Sequence, residues 1–130
     1  MPVFKDAQKM YETLGDVFRW ALKDTELGSK MKEYEITFKF IVKEPEGLVW
    51  IGPDTVLTGK DADKDGVITM ELSGDSAHQF WMKQLSLPVA LATKKIKSKG
   101  PIPKVLKILP FLKPVYAKYP EFIKKHKIAV

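Results

Sequence analysis

The most informative segment of this chain, residues 90–100, reads ALATKKIKSKG. Just before it, Pro88 suits the first turn of a helix, and we predict a short helix from there to Thr93. From Lys95 to Gly100, lysines alternate with other residues at a period of two, which is typical of a strand with one face in solvent. The segment therefore predicts a short helix followed directly by a basic strand.

The chain upstream of residue 73 predicts several strands joined by turns. Apolar residues alternate with polar ones over residues 34–42, which indicates a strand with one buried face. Shorter strands are predicted at residues 48–51, 55–58 and 67–72, and the first of these follows a turn at residues 45–47. Short strands joined by tight turns predict an antiparallel meander.

Helices are predicted on both sides of these strands. Residues 2–24 repeat apolar side chains at three- and four-residue steps, which predicts an amphipathic helix beginning at Pro2. Residues 73–85 predict a further helix, with its N-cap among residues 73–76. Prolines then divide the C-terminal part, because proline cannot continue a helix without loss of a hydrogen bond. The three short helices predicted there cover about residues 103–109, 111–117 and 120–126.

Charge divides the chain into two unlike parts. Residues 94–130 carry eleven lysines and one acidic residue, Glu121, for a net charge of +10. Residues 1–93 carry eleven basic and fifteen acidic side chains, for a net charge of −4. Because the basic part is also rich in large apolar residues, we expect it to fold rather than to form a disordered tail. We expect it to present positive charge to an anionic headgroup or membrane surface.

Length and composition indicate one globular domain over residues 1–130. The chain is 45% hydrophobic and 29% charged, and it contains no cysteine, which excludes disulfides, thiolate nucleophiles and zinc–thiolate sites. Its first residues lack the pattern of a signal peptide, and no apolar run approaches the ~20 residues that span a bilayer. We therefore expect a soluble, cytoplasmic protein.

Residues 61–66, DADKDG, resemble the opening of a calcium-binding loop. The twelfth position of such a loop requires a bidentate glutamate, but here it is Leu72, and Glu71 comes one residue early. Without that glutamate the loop lacks two of the oxygen ligands that calcium needs. We therefore predict a hairpin turn, with weak calcium binding as the alternative.

Ser73, Asp75 and His78 have the residue types of a hydrolytic triad, but they lie within six residues of one another. Neighbours on one helical turn rarely face each other productively, so we interpret this segment as a helix cap. His78 and His126 are too few to form a metal site alone. No phosphate-binding loop is present, so we expect neither an enzyme nor a bound cofactor or metal.

The order of the predicted elements resembles the sterol carrier protein 2 (SCP2) domain, a family of sterol- and lipid-transfer domains. That family has the pattern small–apolar–apolar–x–Gly–Lys–apolar–Lys–apolar–Lys–Gly. This chain matches its second half at Lys95, Ile96, Lys97, Lys99 and Gly100. Lys94 replaces the usual glycine and Ser98 replaces an apolar residue. The resemblance covers about residues 34–115.

The resemblance implies an α+β (mixed α/β) fold, in which helices pack on a twisted, mostly antiparallel five-stranded sheet around an apolar tunnel. Such a tunnel takes a fatty acid, fatty acyl-CoA, phospholipid or sterol, and the C-terminal segment helps to close it. It implies non-enzymatic binding and transfer of a hydrophobic ligand. Burial of one methylene contributes ~0.8 kcal/mol, so such a site needs no polar sequence signature.

Two sets of residues are expected to contact the ligand. The predicted tunnel lining consists of Phe38, Phe40, Trp50, Phe80, Trp81, Met82, Leu85, Val89, Leu91, Ile96, Leu106, Leu109, Phe111 and Leu112. The lysines predicted to face a headgroup or membrane are Lys95, Lys97, Lys99, Lys104 and Lys107. Ordinary core packing explains the apolar residues equally well, and lysines on a strand also prevent edge-to-edge association.

Two other functions stay open at this point. The first is an accessory or dimerisation subunit of a partner enzyme, with a collapsed cavity and with Trp20 and the C-terminal aromatics at the interface; a homodimer belongs to this class. The second is nucleic-acid binding, prompted by the basic C-terminal part. Base-stacking surfaces place aromatics on an exposed sheet face, whereas here they lie on predicted short helices. We therefore expect no nucleic-acid partner.

Overall fold

A computed structural model describes residues 3–128, and within them it contains six α-helices, five strands and two 3-10 helices. The α-helices are α1 (Ala7–Asp24), α2 (Leu27–Glu33), α3 (Gly74–Trp81), α4 (Leu87–Ala92), α5 (Ile102–Ile108) and α6 (Lys113–Lys125). The strands are β1 (Phe38–Lys43), β2 (Gly47–Ile51), β3 (Val56–Thr58), β4 (Ile68–Ser73) and β5 (Ile96–Lys99). The 3-10 helices are Gly59–Ala62 and Leu109–Leu112.

The five strands form one sheet in the order β3-β2-β1-β4-β5. Three of the four pairings are antiparallel, and β1 pairs with β4 in parallel, with Phe38 opposite Ile68. The predicted mixed fold with a mostly antiparallel five-stranded sheet is confirmed. The predicted meander is wrong after β3, because the chain leaves that edge and returns beside β1.

Residues 61–66 do not form the predicted hairpin turn, because β3 and β4 are not neighbours. The segment instead crosses the sheet face that carries Trp50: the indole Nε1 donates to the Asp65 carbonyl at 3.2 Å, and the Lys64 ammonium lies 4.0 Å from the ring centroid. Asp63 pairs with Lys39 of β1 at 3.1 Å. Among residues 3–128, no three acidic or histidine side chains are grouped closely enough to hold a metal ion.

The first two helices differ from the prediction. Helix α1 begins at Ala7, because the Asp6 carboxylate caps it by accepting from the Lys9 amide at 2.8 Å. The predicted start, Pro2, lies outside the described residues. Helix α2 was not predicted, and Glu35 follows it with a positive φ of 56°. That left-handed residue delays the start of β1 to Phe38, so the predicted strand over residues 34–42 is wrong for residues 34–37.

The C-terminal part also differs from the prediction. Helix α6 is continuous although Pro114 lies in its first turn and Pro120 lies inside it. An internal proline removes one helical hydrogen bond and costs about 3 kcal/mol. The apolar face of α6 compensates for this cost because it packs against α1 and α3. Its buried side chains are Val115, Tyr119, Phe122 and Ile123. The predicted break between residues 117 and 120 is therefore wrong.

A buried hydrogen bond joins α3 to α6. The Tyr119 hydroxyl and His78 Nδ1 lie 2.8 Å apart, and both side chains are buried. Burial raises the pKa of Tyr119 well above its usual range, so the hydroxyl keeps its proton and donates. Burial also lowers the pKa of His78, against the opposing charge of Asp75, so a neutral imidazole accepts.

We expect the protein to lose stability as the pH falls below about 6.5. There the unfolded chain binds a proton at His78 near its ordinary pKa of 6.5, while the folded chain with its lowered pKa does not. One such group lowers the free energy of unfolding by at most about 1.4 kcal/mol for each pH unit below that value. Thermal unfolding of His78→Gln between pH 7.5 and 5 should show a flatter profile than the wild type. His126→Gln is the control, and an equal flattening in it would contradict the assignment.

No helix within residues 3–128 combines the length and the apolar character needed to cross a bilayer.

Candidate functional site: an apolar cavity

The helices pack on one face of the sheet and leave a cavity of about 70 Å³ between the two layers. Its nineteen lining residues are all apolar. The sheet contributes Phe38, Phe40 and Val42 of β1, Val49 and Ile51 of β2, Met70 and Leu72 of β4, and Ile96 of β5. The helices contribute Leu14, Phe18, Leu27, Met31, Ala77, Phe80, Trp81, Leu87, Val105, Leu109 and Leu112. This wall can hold an apolar group but offers nothing to bind an ion.

Strand alternation places the sheet residues on the cavity face. Phe40 of β1 pairs with Val49 of β2 on one side and with Met70 of β4 on the other, and all three line the cavity. Side chains directly opposite one another in a sheet share a face. The Phe40 ring is stacked on the Phe18 ring of α1, with 6.1 Å between centroids.

One wall of the cavity packs mainly on other helices. Helix α5 and the 3-10 helix after it contribute Val105, Leu109 and Leu112. The main contacts of α5 are with α2 and with that 3-10 helix rather than with a strand. Movement of this wall would therefore break no strand pairing.

The cavity is small compared with a lipid. A cavity of about 150 Å³ holds a single benzene ring, and this one has about half that volume. A long acyl chain or a sterol can enter only if the helices move away from the sheet. The predicted tunnel stays a prediction.

Known proteins share this arrangement of sheet and helices, although no protein-family model and no curated protein matches the chain. Among solved structures, apo sterol carrier protein 2 from Yarrowia lipolytica has a TM-score of 0.64 at 21% identity, covering 79% of this chain and 89% of that one. Sterol carrier protein domain 2 of Helicoverpa armigera has a TM-score of 0.65 at 16% identity, covering 83% and 89%. This chain has an SCP2-like fold.

The SCP2-like fold also occurs in part of a much longer protein. The sec-alkylsulfatase Pisa1 from Pseudomonas sp. has a TM-score of 0.51 at 15% identity, and the match covers 65% of this chain but 14% of that one. The matches to the two sterol carrier protein structures confirm the predicted resemblance at the level of the fold.

Half of the predicted tunnel residues lie around the cavity of this SCP2-like fold. The seven that line it are Phe38, Phe40, Phe80, Trp81, Ile96, Leu109 and Leu112. Four others do not line it but pack in or against the core, namely Met82, Leu85, Leu91 and Phe111.

Three predicted tunnel residues lie away from the cavity. Trp50 is buried on the opposite face of the sheet, because it pairs with Lys39 rather than with a cavity-facing residue. Val89 on α4 and Leu106 on α5 are 54% and 56% exposed. Both point outward because the helical positions beside them, Ala90 and Val105, are the buried ones.

The five lysines predicted to face a headgroup lie on β5 and α5. Lys95, Lys97 and Lys99 are exposed, on or just before the edge strand β5. Lys104 donates from Nζ to the Glu35 carbonyl at 3.3 Å, and the Lys107 ammonium lies 5.5 Å from the Tyr34 ring centroid. None of the five lines the cavity, and Lys97 and Lys99 lie on the face of β5 opposite to Ile96.

Sequence reasoning missed other lining residues. Leu27 and Met31 were missed because α2 was not predicted. Val49, Ile51 and Met70 could have been found from strand alternation, which places them on the same face as Phe40.

Ser98 carries a buried hydroxyl without a hydrogen-bond partner, alone among the buried side-chain polar atoms of residues 3–128. It follows Ile96 on the same face of β5 and lies opposite Met70, both of which line the cavity. An unpaired buried hydroxyl is costly, because its hydrogen bonds to water are lost without replacement.

We expect Ser98→Ala to raise the free energy of unfolding by ~1 kcal/mol, because it removes this unpaired hydroxyl. The matched control is Ser73→Ala. The Ser73 hydroxyl caps α3 by accepting from the Ser76 amide at 3.0 Å, so its loss should lower stability by ~1 kcal/mol. Urea unfolding measures both changes. A loss of stability in Ser98→Ala would contradict the assignment.

Proposed function

We propose that this chain binds a hydrophobic ligand in the apolar cavity and transfers it without chemical change. The candidate ligands are a fatty acid, a fatty acyl-CoA, a phospholipid and a sterol. The single observation that supports the proposal is the wholly apolar cavity between sheet and helices in an SCP2-like fold.

Energetics favour such a ligand even without polar contacts. Burial of a sixteen-carbon chain contributes roughly 12 kcal/mol in gross terms, at ~0.8 kcal/mol per methylene. Association and ordering cost an estimated 4–15 kcal/mol, so micromolar binding is within reach. The ligand enlarges the cavity by displacing α5 and its 3-10 helix from the sheet. The flexible side chains of Met31 and Met70 adapt to the ligand's shape.

The polar end of the ligand lies near β5 and α5 in this proposal. Lys104 and Lys107 of α5 supply positive charge for a carboxylate or phosphate there. Lys97 and Lys99 alternate with Ile96 and Ser98 and therefore lie on the opposite face of the sheet. The unpaired Ser98 hydroxyl is the polar group beside the cavity that can donate to a ligand oxygen.

Native mass spectrometry of freshly purified protein tests the proposal, followed by extraction and identification of released lipid. We expect a stoichiometric adduct with the mass of a fatty acid or phospholipid, or one that forms when palmitoyl-CoA or palmitate is added. A mass that stays that of the bare chain under all these conditions would contradict lipid binding.

The accessory-subunit alternative is supported by one observation, the presence of a similar fold within the longer Pisa1 chain. The aromatic residues expected at such an interface are partly or fully buried within this chain. Tyr119 and Phe122 are buried within this chain, and Trp20 is half-buried beside Phe122 with 6.4 Å between ring centroids. Light scattering separates the two functions in part, since a monomer that retains lipid excludes a purely dimerising role.

A further inference from the structure

Helix α5 has two unlike faces. Val105 and Ile108 are almost fully buried, and Val105 lines the cavity. On the opposite side Pro103, Leu106 and Lys107 are exposed. Leu106 is 56% exposed on a helix with a well-buried inner face, so residues 3–128 leave it largely uncovered.

Two further exposed apolar side chains lie on α5 or beside its start. Ile102, one helical turn earlier on α5, is 37% exposed. Val67 is 41% exposed. Its carbonyl oxygen lies so close to Gly100, two residues before α5 begins, that a Cβ on Gly100 would collide with it. Three of the four exposed large apolar residues among residues 3–128 therefore lie on α5 or beside its start.

Positive charge predominates around this apolar group, although Glu33 and Glu35 lie at the end of the neighbouring helix α2. Residues 94–113 contain seven lysines and no acidic residue. Helix α2, which packs against α5, carries Lys30, Lys32 and Glu33, and Glu33 pairs with Lys30 at 3.6 Å. The neighbouring helix therefore adds no net negative charge. Apolar side chains surrounded by lysines suit the surface of an anionic bilayer, where the apolar groups enter the headgroup boundary and the lysines contact lipid phosphates.

We propose that the outer face of α5, with Ile102 and Leu106 between Lys99 and Lys107, docks on anionic lipid bilayers. This inference deepens the proposed function, because the inner face of the same helix forms part of the cavity wall. Docking places that wall against the membrane, where a ligand can pass between bilayer and cavity when α5 moves.

A single fluorescent label tests the docking directly, because the chain has no native cysteine. Leu106→Cys, labelled with an environment-sensitive dye such as NBD, should show a blue shift when vesicles of phosphatidylcholine with about 30% phosphatidylserine are added. Vesicles of phosphatidylcholine alone should give little shift. The matched control is Val89→Cys on α4, which replaces a residue exposed to the same degree. An equal shift at both sites would contradict docking through α5.

Unlabelled variants measure the contributions to binding in vesicle co-sedimentation. Leu106→Ser should weaken binding about ten-fold, and Val89→Ser should not change it. Lys99→Glu with Lys107→Glu should weaken it at least about twenty-five-fold, at about five-fold or more per lysine. Lys5→Glu with Lys60→Glu makes the same charge change at other exposed positions. Equal binding in the two charge-reversed variants would overturn the proposal.

The outcomes for docking and for lipid binding can be told apart. Binding of palmitate in vesicle-free buffer tests the cavity, and Leu106→Ser should leave it unchanged. Wild-type protein that binds palmitate but no vesicles would overturn docking alone. Protein that binds vesicles but retains no lipid on purification and binds neither palmitate nor palmitoyl-CoA would overturn the proposed function alone. A blue shift that depends on protein concentration without vesicles would identify a second copy of the chain as the occupant and overturn the membrane proposal.

Discussion

Ala77→Leu is expected to weaken the binding of palmitate about a hundred-fold while the protein stays folded. Ala77 lies on α3, is buried, and lines the cavity opposite the sheet. Leucine adds three carbon atoms where the ligand would lie. Exclusion of about four methylenes from the site costs ~3 kcal/mol of binding free energy, which corresponds to the hundred-fold change in Kd. Isothermal titration calorimetry or displacement of a fluorescent fatty acid measures it.

The stability of this variant is as informative as its affinity. Because the side chain grows into empty space, the midpoint of thermal unfolding should stay the same or rise. Ala90→Leu is the matched control, since Ala90 is fully buried but does not line the cavity. Overpacking there should cost ~1–3 kcal/mol of stability and leave the Kd of the folded protein unchanged. Unchanged palmitate affinity in Ala77→Leu would place the ligand elsewhere.

Tyr119→Ala is expected to lower the free energy of unfolding by ~3–5 kcal/mol, more than any of the other variants. Tyr119 is the largest fully buried side chain within residues 3–128, and its loss opens a cavity between α6 and α3. It also leaves His78 Nδ1 without its donor. Domains of this kind have about 5–15 kcal/mol of stability, so the variant should be close to unfolding.

Tyr119→Phe separates the two contributions in urea unfolding. It keeps the ring and removes only the hydroxyl, so we expect a loss of ~1–3 kcal/mol from the unpaired imidazole. The control is Tyr116→Phe, three residues earlier on the same helix, where the tyrosine is half-buried. Its ring packs 5.4 Å from that of Trp81, and loss of its hydroxyl should cost under about 0.5 kcal/mol. Equal losses in the two phenylalanine variants would show that the His78 contact contributes nothing.

Local patterns in the sequence are sufficient to predict where the strands lie along the chain, but not the order of the strands in the sheet. Alternation from Phe38 to Val42 predicts both the strand and its buried face, and the structure agrees. The parallel pairing of β1 with β4 joins residues thirty apart, such as Phe38 and Ile68. No pattern within either strand encodes that choice, which depends on how helices and sheet bury their apolar faces together.

The errors at the candidate site have equally local causes. A tryptophan in a strand is usually buried, and Trp50 is buried, but on the other face beneath residues 61–66. Leu106 lies in an apolar helix, yet one step of 100° separates it from the inward-facing Val105. The cost of Pro120 within a helix is visible in the sequence, whereas the compensating contacts of α6 with α1 are not.

The position of α5 late in the chain has a consequence for synthesis on the ribosome. The cavity-facing side chains of β1 and β2 emerge early, whereas Val105, Leu109 and Leu112, which complete their cover, emerge some sixty residues later. During that interval the nascent chain exposes aromatic and branched apolar surface of the kind that aggregates or recruits chaperones. A lipid acquired at that stage would shield this surface, so the first ligand of each molecule would act as part of its folding core.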